Sequence, residues 1–453
     1  MSNLRTGCIH RPVRRFSVHG GAAAALLAAA APLAVPAPAH AAAVAAALGS
    51  GQGVADFYVA RSGIPLWFEN GQPSQAAAIL IETLARADVD GLDPRNYRLQ
   101  EIQRAMRAAW GGNSRAAQQA DRMLSQALVA YVRDLRRAND VGVVYVDPEL
   151  RPAPPSPRAI LDSAASAPSL TDYVAGMRWM NPAYGQLRKA LLTQNYSSDQ
   201  ERRALMLNLE RARELPGGSG RYVLVNAAAQ RLDMVEDGRI VGSMNVVVGK
   251  PKNPTPMMAA YIRFAALNPY WNVPPDLAAE RIAPNVVKEG LRYLKTHSYQ
   301  VLSDWGDNPT VVDPSTIDWQ AVADGTTEIR VRQLPGPKNS MGQMKFMFPN
   351  AEGVYLHDTP DKELLSEASR LFSGGCVRLE DAPRLARWLF GKPLNPEGAG
   401  TEEAAPLPTP VPVYITYLTA VPTGSSIAYL DDIYGRDAAR MAQQSGSYLA
   451  GSR

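Results

Sequence analysis

The apolar residues of this 453-residue chain change period at one place. Before Pro216-Gly217-Gly218-Ser219-Gly220 they recur at three- and four-residue steps, and after it they alternate. Steps of three and four put one stripe of a helix into a core, whereas alternation buries one face of a sheet. The sequence therefore predicts an α+β chain. A mainly helical domain runs over 53–215, and a mainly β, sandwich-like domain follows over 221–435.

In the first domain, Pro73-Ser74 opens a segment with Ile79, Leu80 and Leu84 on one side, ending near Asp90-Gly91. A second helix carries Met123, Leu124, Ala127, Leu128, Tyr131 and Leu135. Pro152 to Pro157 reads as a loop, with further helices near 170–179 and 201–214. In the second domain, Tyr222–Val225, Arg231–Val235, a turn at Glu236-Asp237-Gly238 and Ile240-Val241 read as a hairpin. Met244–Val248 reads as a separate strand, followed by Tyr261–Leu267. From about 274 to 336 the alternation breaks into helical and loop stretches, which predicts a cap inserted into the sheet domain. Strands resume at Val354–His357 and, past the Pro-rich Ala405–Pro412, at Val413–Leu418. Between them Asp381-Ala382-Pro383 starts a short helix that Gly391 stops. Residues 436–453 read as a C-terminal tail.

Residues 1–41 read as an export signal and 42–52 as a flexible start. Arg5, Arg11, Arg14 and Arg15 come with no acid before an Ala/Leu run from about Gly21 to Val35, and Ala39-His40-Ala41 supplies small residues for cleavage. The expected location is the periplasm; Arg14-Arg15-Phe16 leaves the choice between general and twin-arginine export open. No later stretch is apolar for the roughly 18 residues that a membrane span needs. The formal charge is +4, and the leader supplies four arginines, so the remainder is near +4 − 4 = 0. No basic patch interleaved with aromatics points to nucleic acid. CxxC, HxxxH and HExxH spacings are missing, so no metal site is expected, and no cofactor motif is present.

Past the leader the chain keeps one cysteine, Cys376, and two histidines, His297 and His357. Cys376 lies in Ser373-Gly374-Gly375-Cys376-Val377-Arg378, 376 − 357 = 19 positions after the strand-like Val354-Tyr355-Leu356-His357. A lone cysteine is most often a small buried hydrophobe. Exported chains, however, usually pair their cysteines or lack them. A thiol of ordinary pKa, about 8.5, is mostly protonated at neutral pH, and a nearby imidazole can take that proton and later give one to a leaving amine. Cys376 is thus the candidate nucleophile and His357 the candidate base and acid. The backbone amides of Gly375 and Cys376 are candidate oxyanion donors, since neither glycine carries a Cβ to obstruct a sharp bend. Tyr355 shares a strand face with His357 and either offers its hydroxyl or walls a pocket. Arg378 either grips a substrate carboxylate or braces the loop through an acid such as Glu380.

These segments resemble the L,D-transpeptidase (YkuD-type) signature, a histidine followed by S-x-G-C and Arg or Asn. Val246-Val-Val-Gly-Lys250 with Pro254-Thr-Pro256, Leu267–Pro274, Pro335–Asn339 and Lys345–Pro349 resemble its large Gram-negative subgroup, as do Pro65-Leu-Trp67, Asp90–Pro94 and Leu207–Arg211 its helical scaffold. The resemblance implies a cysteine acyltransferase acting on peptidoglycan stem peptides. Cys376 would attack the third residue of a tetrapeptide, expel D-alanine and pass the acyl group to a diamino-acid side chain, giving a 3→3 cross-link. It also implies substrate-binding roles for Tyr355, Arg378, Ser373, Gly374 and Trp271, and reaction with carbapenems. Water (an L,D-carboxypeptidase), an envelope protein acceptor, an association with other wall-synthesis proteins, or a catalytically silent wall-binding scaffold are the alternatives. Two departures stand out. Gly374 occupies a position that is often histidine. Tyr184–Leu187 also runs into the Leu205–Leu209 helix without room for the peptidoglycan-binding module common in the subgroup.

Overall fold

The structure, a computed structural model, describes residues 52–450 apart from 111, 219, 307 and 396–399 and the side chains of 444–450. The expected leader lies outside these residues, as does the expected flexible start except for Gln52, which is helical. The described chain forms two compact units. One holds residues up to 137 and 153–179; the other holds 138–152 and everything from 180 onward.

The first unit is helical: α1 (Gln75–Ala85), α2 (Leu99–Ala109), α3 (Ser114–Leu135), α4 (Pro157–Ala165) and α5 (Leu170–Ala175). Ser74, Asn113, Ser156 and Ser169 cap four of them by accepting a backbone N–H from the first turn. Inside the apolar stripe of α3 sits a buried carboxylate, Asp121. It accepts the Leu66 and Trp67 amides at 3.0 and 2.6 Å and the Tyr58 hydroxyl, and the Trp67 indole donates to Ser125 at 2.9 Å. Burial raises the Asp121 pKa against these bonds.

The second unit is built on β1 (Arg221–Asn226), β2 (Arg231–Glu236), β3 (Arg239–Gly249) and β4 (Met258–Leu267). Asp237 and Gly238, both at positive φ, close the β2–β3 hairpin, and Glu236 pairs with Arg239. A small sheet of β5 (Trp271–Val273), β6 (Tyr299–Leu302), β7 (Val311–Val312) and β8 (Arg330–Gln333) interrupts the chain. Then come β9 (Met344–Met347), β10 (Leu356–His357), β11 (Leu371–Ser373), β12 (Val377–Leu379) and β13 (Glu403–Thr416). The order β9-β10-β12-β3-β2-β1-β13-β4 closes on itself because β4 also pairs with β9, Leu267 opposite Met344. The expected mainly β, sandwich-like domain is thus present, with its sheet closed into a barrel. Alternate residues such as Val223, Val225, Val246, Val248, Val413 and Ile415 fill it, and α6 (Ala382–Phe390) adds Leu385 and Leu389. As expected, Asp381 caps that helix and left-handed Gly391 ends it.

Four expectations change. The helices Pro182–Leu192 and Asp199–Ala212, read as part of the helical domain, belong to the barrel unit. Asn208 exchanges hydrogen bonds of 2.8 Å with Thr419, a tertiary pairing that periodicity does not register. The cap is not only helix and loop. Its four-stranded sheet starts at Trp271, and its strands of two to four residues are too short for alternation to show. The Pro-rich Ala405–Pro412 lies within β13, where the register against β4 shifts between Pro406 and Val411 to accommodate residues without an N–H. Finally, 436–453 is not a tail at its start, because Asp437 bonds Arg211 at 2.6 Å and Thr419 at 2.6 Å in a buried cluster.

Removing one partner of a buried ion pair leaves the other charge uncompensated, typically at about 3–5 kcal/mol. Asp437→Ala is therefore expected to lower the unfolding free energy in urea by about that amount; a loss under about 1 kcal/mol would show a solvated pair.

Candidate active site

The cysteine turn is built around the end of β3. Along that strand, successive N–H groups point to opposite edges. On one edge Val248 N–H donates to Arg370 at 2.9 Å and Lys250 N–H to Ser373 at 3.0 Å, so β11 runs parallel to β3 there. On the other edge β12 runs antiparallel, with Arg378 opposite Val247. Residues 374–376 thus arch over Gly249. The chain folds back at 250–255 beneath this arch, and a Cβ on Gly249 would lie 2.1 Å from the Asn253 carbonyl oxygen. Gly375 has φ +123°, a conformation that favours glycine. Ser373 spans the arch: its hydroxyl accepts the Gly375 N–H at 3.1 Å and donates to the Cys376 carbonyl at 2.6 Å.

β10 lies beside β12 in parallel, with Leu356 opposite Val377 and His357 opposite Arg378. Leu356, Val377 and Leu379 point into the barrel core. The alternate residues Tyr355, His357, Cys376 and Arg378 therefore share the other face. Interstrand spacing and rise put the Cα atoms of Cys376 and His357 on the order of 8 Å apart, a span that a thiol and an imidazole can bridge. Cys376 is half-buried, and its Sγ lies 3.6 Å from the Gly353 carbonyl oxygen.

His357 is held by main-chain carbonyls. Its Nδ1 lies 2.6 Å from the Asp358 oxygen, and the Met341 backbone also bonds the ring. Burial pushes its pKa down from 6.5 to about 3, with the charges of Arg378 and Lys345 adding to the effect against those carbonyls. The ring is neutral at pH 7, able to accept one proton.

Arg378 braces rather than reaches outward: its Nη1 donates to Asp361 at 3.0 Å, and its side chain is 12% exposed. The acid expected from the sequence, Glu380, instead accepts the Asn245 N–H at 2.9 Å. Burial lowers the Arg378 pKa, and the Cys376 sulfur is among the groups that raise it, so guanidinium and sulfur sense each other's charge. Trp271, expected to touch substrate, is buried in the cap's own core and packs against Tyr299. That role rested on the family resemblance alone, and the pairing of β5 with β8 sets Trp271 within the cap sheet. Tyr355 touches both the barrel core and the cap core, and its ring meets that of His357 at 5.9 Å. Gly374 is exposed, and a Cβ there would meet only Leu277 at 3.7 Å. An oxyanion at the Gly375 N–H would have to share it with Ser373. Sequence reasoning passed over Thr255, which is fully buried and donates to the Gly375 carbonyl at 2.8 Å. Its only sequence signal was the Pro254-Thr-Pro256 segment.

Fold and site define a closed-barrel domain that presents a single thiol, on a glycine turn, on the sheet face that carries a buried histidine. Residues 220–413 match the family model YkuD, the L,D-transpeptidase catalytic domain, and residues 52–191 match a Scaffold domain. This chain thus carries a YkuD-type L,D-transpeptidase catalytic domain preceded by a Scaffold domain. A curated Haemophilus influenzae (strain ATCC 51907 / DSM 11121 / KW20 / Rd) protein, provisionally described as an L,D-transpeptidase, is 31% identical over 284 residues. That match covers 61% of this chain and 57% of the relative, so the chain spans little more than half the relative's length. A solved structure titled "Structure of the Ldtfm-avibactam carbamoyl enzyme" is 15% identical over 48% of this chain and 63% of its own, with a TM-score of 0.20, too low to bear on the fold.

Gly375→Ala forces a side chain into φ +123° and is expected to lower stability by about 1–3 kcal/mol. Gly374→Ala should change it by less than about 0.5 kcal/mol, since the space is open; urea melts of the two variants check the contrast. The folded state refuses a proton on His357 that the unfolded chain accepts below about pH 6.5. Its contribution to stability is full above that pH and is lost as pH falls towards 3, by at most about 1.4 kcal/mol per pH unit. In His357→Asn the acid-side slope of the unfolding free energy should flatten. Equal slopes in both proteins would mean that the folded ring titrates normally.

Proposed function

We propose that this chain is a periplasmic peptidoglycan L,D-transpeptidase working by thiol acyl transfer. The observation that carries the reading is that Cys376 stands on a braced glycine turn, on the sheet face shared with a buried, neutral His357, within the matched catalytic domain. In the first step His357 takes the thiol proton while Sγ attacks the carbonyl of the third residue of a stem tetrapeptide. The C–N bond to the terminal D-alanine then breaks, and the imidazolium returns its proton to that leaving nitrogen. In the second step the side-chain amine of another stem attacks the thioester and loses a proton to His357, and the thiol is regained. Burial makes the imidazolium costly, which favours its handing the proton on. The Arg378 charge, felt at the sulfur, favours the thiolate that forms in between. The export leader read from residues 1–41 is consistent with a substrate outside the cytoplasm.

The test is incubation of the protein with purified muropeptides, followed by mass analysis of products. A 3→3 dimer is expected. A tripeptide monomer alone would make the chain an L,D-carboxypeptidase, and transfer only to an added envelope protein would make it a ligase. Cys376→Ala should abolish every product, at least 10³-fold below wild type. A carbapenem should add its own mass to the wild type and leave Cys376→Ala unmodified. A wild-type mass unchanged by the drug, with no product formed, would leave the silent scaffold, the reading for which Gly374 speaks.

A further inference from the structure

The geometry points to Thr255 as a positioning residue that aims the Cys376 amide at the oxyanion, an inference resting on the acyl-transfer reading above. A trans peptide unit is planar, so its C=O and N–H point in opposite directions. There are no cis peptides among the described residues. The Gly375–Cys376 unit contains the Gly375 carbonyl and the Cys376 N–H. Thr255 Oγ1 donates to that carbonyl at 2.8 Å from beneath the arch, which turns the Cys376 N–H to the opposite side, away from the 250–255 loop.

This unit is the one most in need of a lock. The neighbouring unit, Gly374–Gly375, is tied by its N–H to Ser373. The following unit is tied at both ends, by the Cys376 carbonyl to Ser373 and by the Val377 N–H to the Tyr355 carbonyl at 3.1 Å. Between them Gly375, at φ +123°, gives its own C-terminal peptide unit rotational freedom that no Cβ restrains. A rotation of about 180° would put a carbonyl oxygen, a negative dipole end, where negative charge develops in the tetrahedral intermediate. The Thr255 hydroxyl opposes that rotation.

Thr255 is itself held at every polar atom. Its Oγ1 accepts the Gly249 N–H at 2.9 Å, leaving the hydroxyl hydrogen for Gly375. Its N–H meets the Tyr434 hydroxyl at 3.4 Å, and that hydroxyl donates to the Gly249 carbonyl at 2.7 Å. Arg436 donates to the Thr255 carbonyl at 2.8 Å, its guanidinium lying over the rings of Tyr417 and Tyr434 at 4.9 and 5.0 Å. The segment around 434–436 therefore clamps the threonine from outside the catalytic turn. A hydroxyl with one acceptor role and one donor role, both filled, defines its rotor without a choice of partners.

The test separates a reaction that builds an oxyanion from one that does not. Iodoacetamide alkylates the Cys376 sulfur by displacing iodide at carbon, with no tetrahedral intermediate. Carbapenem acylation of the same sulfur passes through one. Both rates are measured by intact mass for wild type, Thr255→Val, which keeps the shape and removes the hydroxyl, and Thr255→Ser, which keeps the hydroxyl. In Thr255→Val, acylation should slow by about 10-fold to 100-fold while alkylation stays within about twofold; Thr255→Ser should recover acylation to within about threefold of wild type. If Thr255→Val does not fold, Thr255→Ala, whose vacated space admits a water, takes its place with the same expectation. Acylation within threefold of wild type in the hydroxyl-free variant, or acylation and alkylation falling together, overturns the role of Thr255 alone. A wild type that is alkylated and never acylated overturns the acyl-transfer reading and this one with it.

Discussion

Everything at the candidate site depends on one arrangement: the free end of a long barrel strand with a chain segment paired to each of its edges. Once Ser373 is hydrogen-bonded to one edge of the Val246–Lys250 segment and Arg378 is paired with the other, the three residues between them have to arch over Gly249. Three residues crossing a strand end put Gly375 at φ +123°, which residues with a side chain rarely adopt, and the arch sets the direction of each peptide unit in it. Ser373 and Thr255 convert that geometric necessity into defined donor directions. The cysteine is presented by a backbone held on three sides, without dependence on any property of its own side chain.

The electrostatics of the site follow from the same pairing. Parallel alignment of His357 with Arg378 sets an imidazole beside a guanidinium, and Lys345 lies opposite His357 on the other neighbour. Burial drives the ring to the neutral form, and the two cations beside it add to the effect. Each cation is in turn compensated away from the ring, Arg378 by Asp361 at 3.0 Å and Lys345 by Glu402 at 3.4 Å. The result is an imidazole kept uncharged on the sheet face that carries the sulfur.

Local chemistry was legible wherever a short stretch suffices. Asp237-Gly238 specified its two-residue hairpin turn, Asp381 and Gly391 the ends of a helix, and Ser74 the start of another, because turn and cap preferences act within four residues. Reading failed where the partner is distant. The prolines of 405–412 announced a break, yet pairing with β4 carries the strand through them with a register shift. The family resemblance implied that Trp271 touches substrate, and pairing with β8 draws it into a core instead. Asp437 looked like the start of a tail, and Arg211 buries it.

The sequence alone determined the two kinds of secondary structure, the switch between them, the pair Cys376 and His357 as the chemically notable groups, and the need for glycine before the sulfur. Those are matters of period, residue type and nearest neighbours. Only the tertiary structure decided that the sheet closes into a barrel, that Arg378 answers to Asp361, that main-chain carbonyls hold His357, and that Thr255 lies under the arch. Each of these is a contact between residues separated along the chain, and its energy depends on distance and burial, quantities that exist only once the chain has folded.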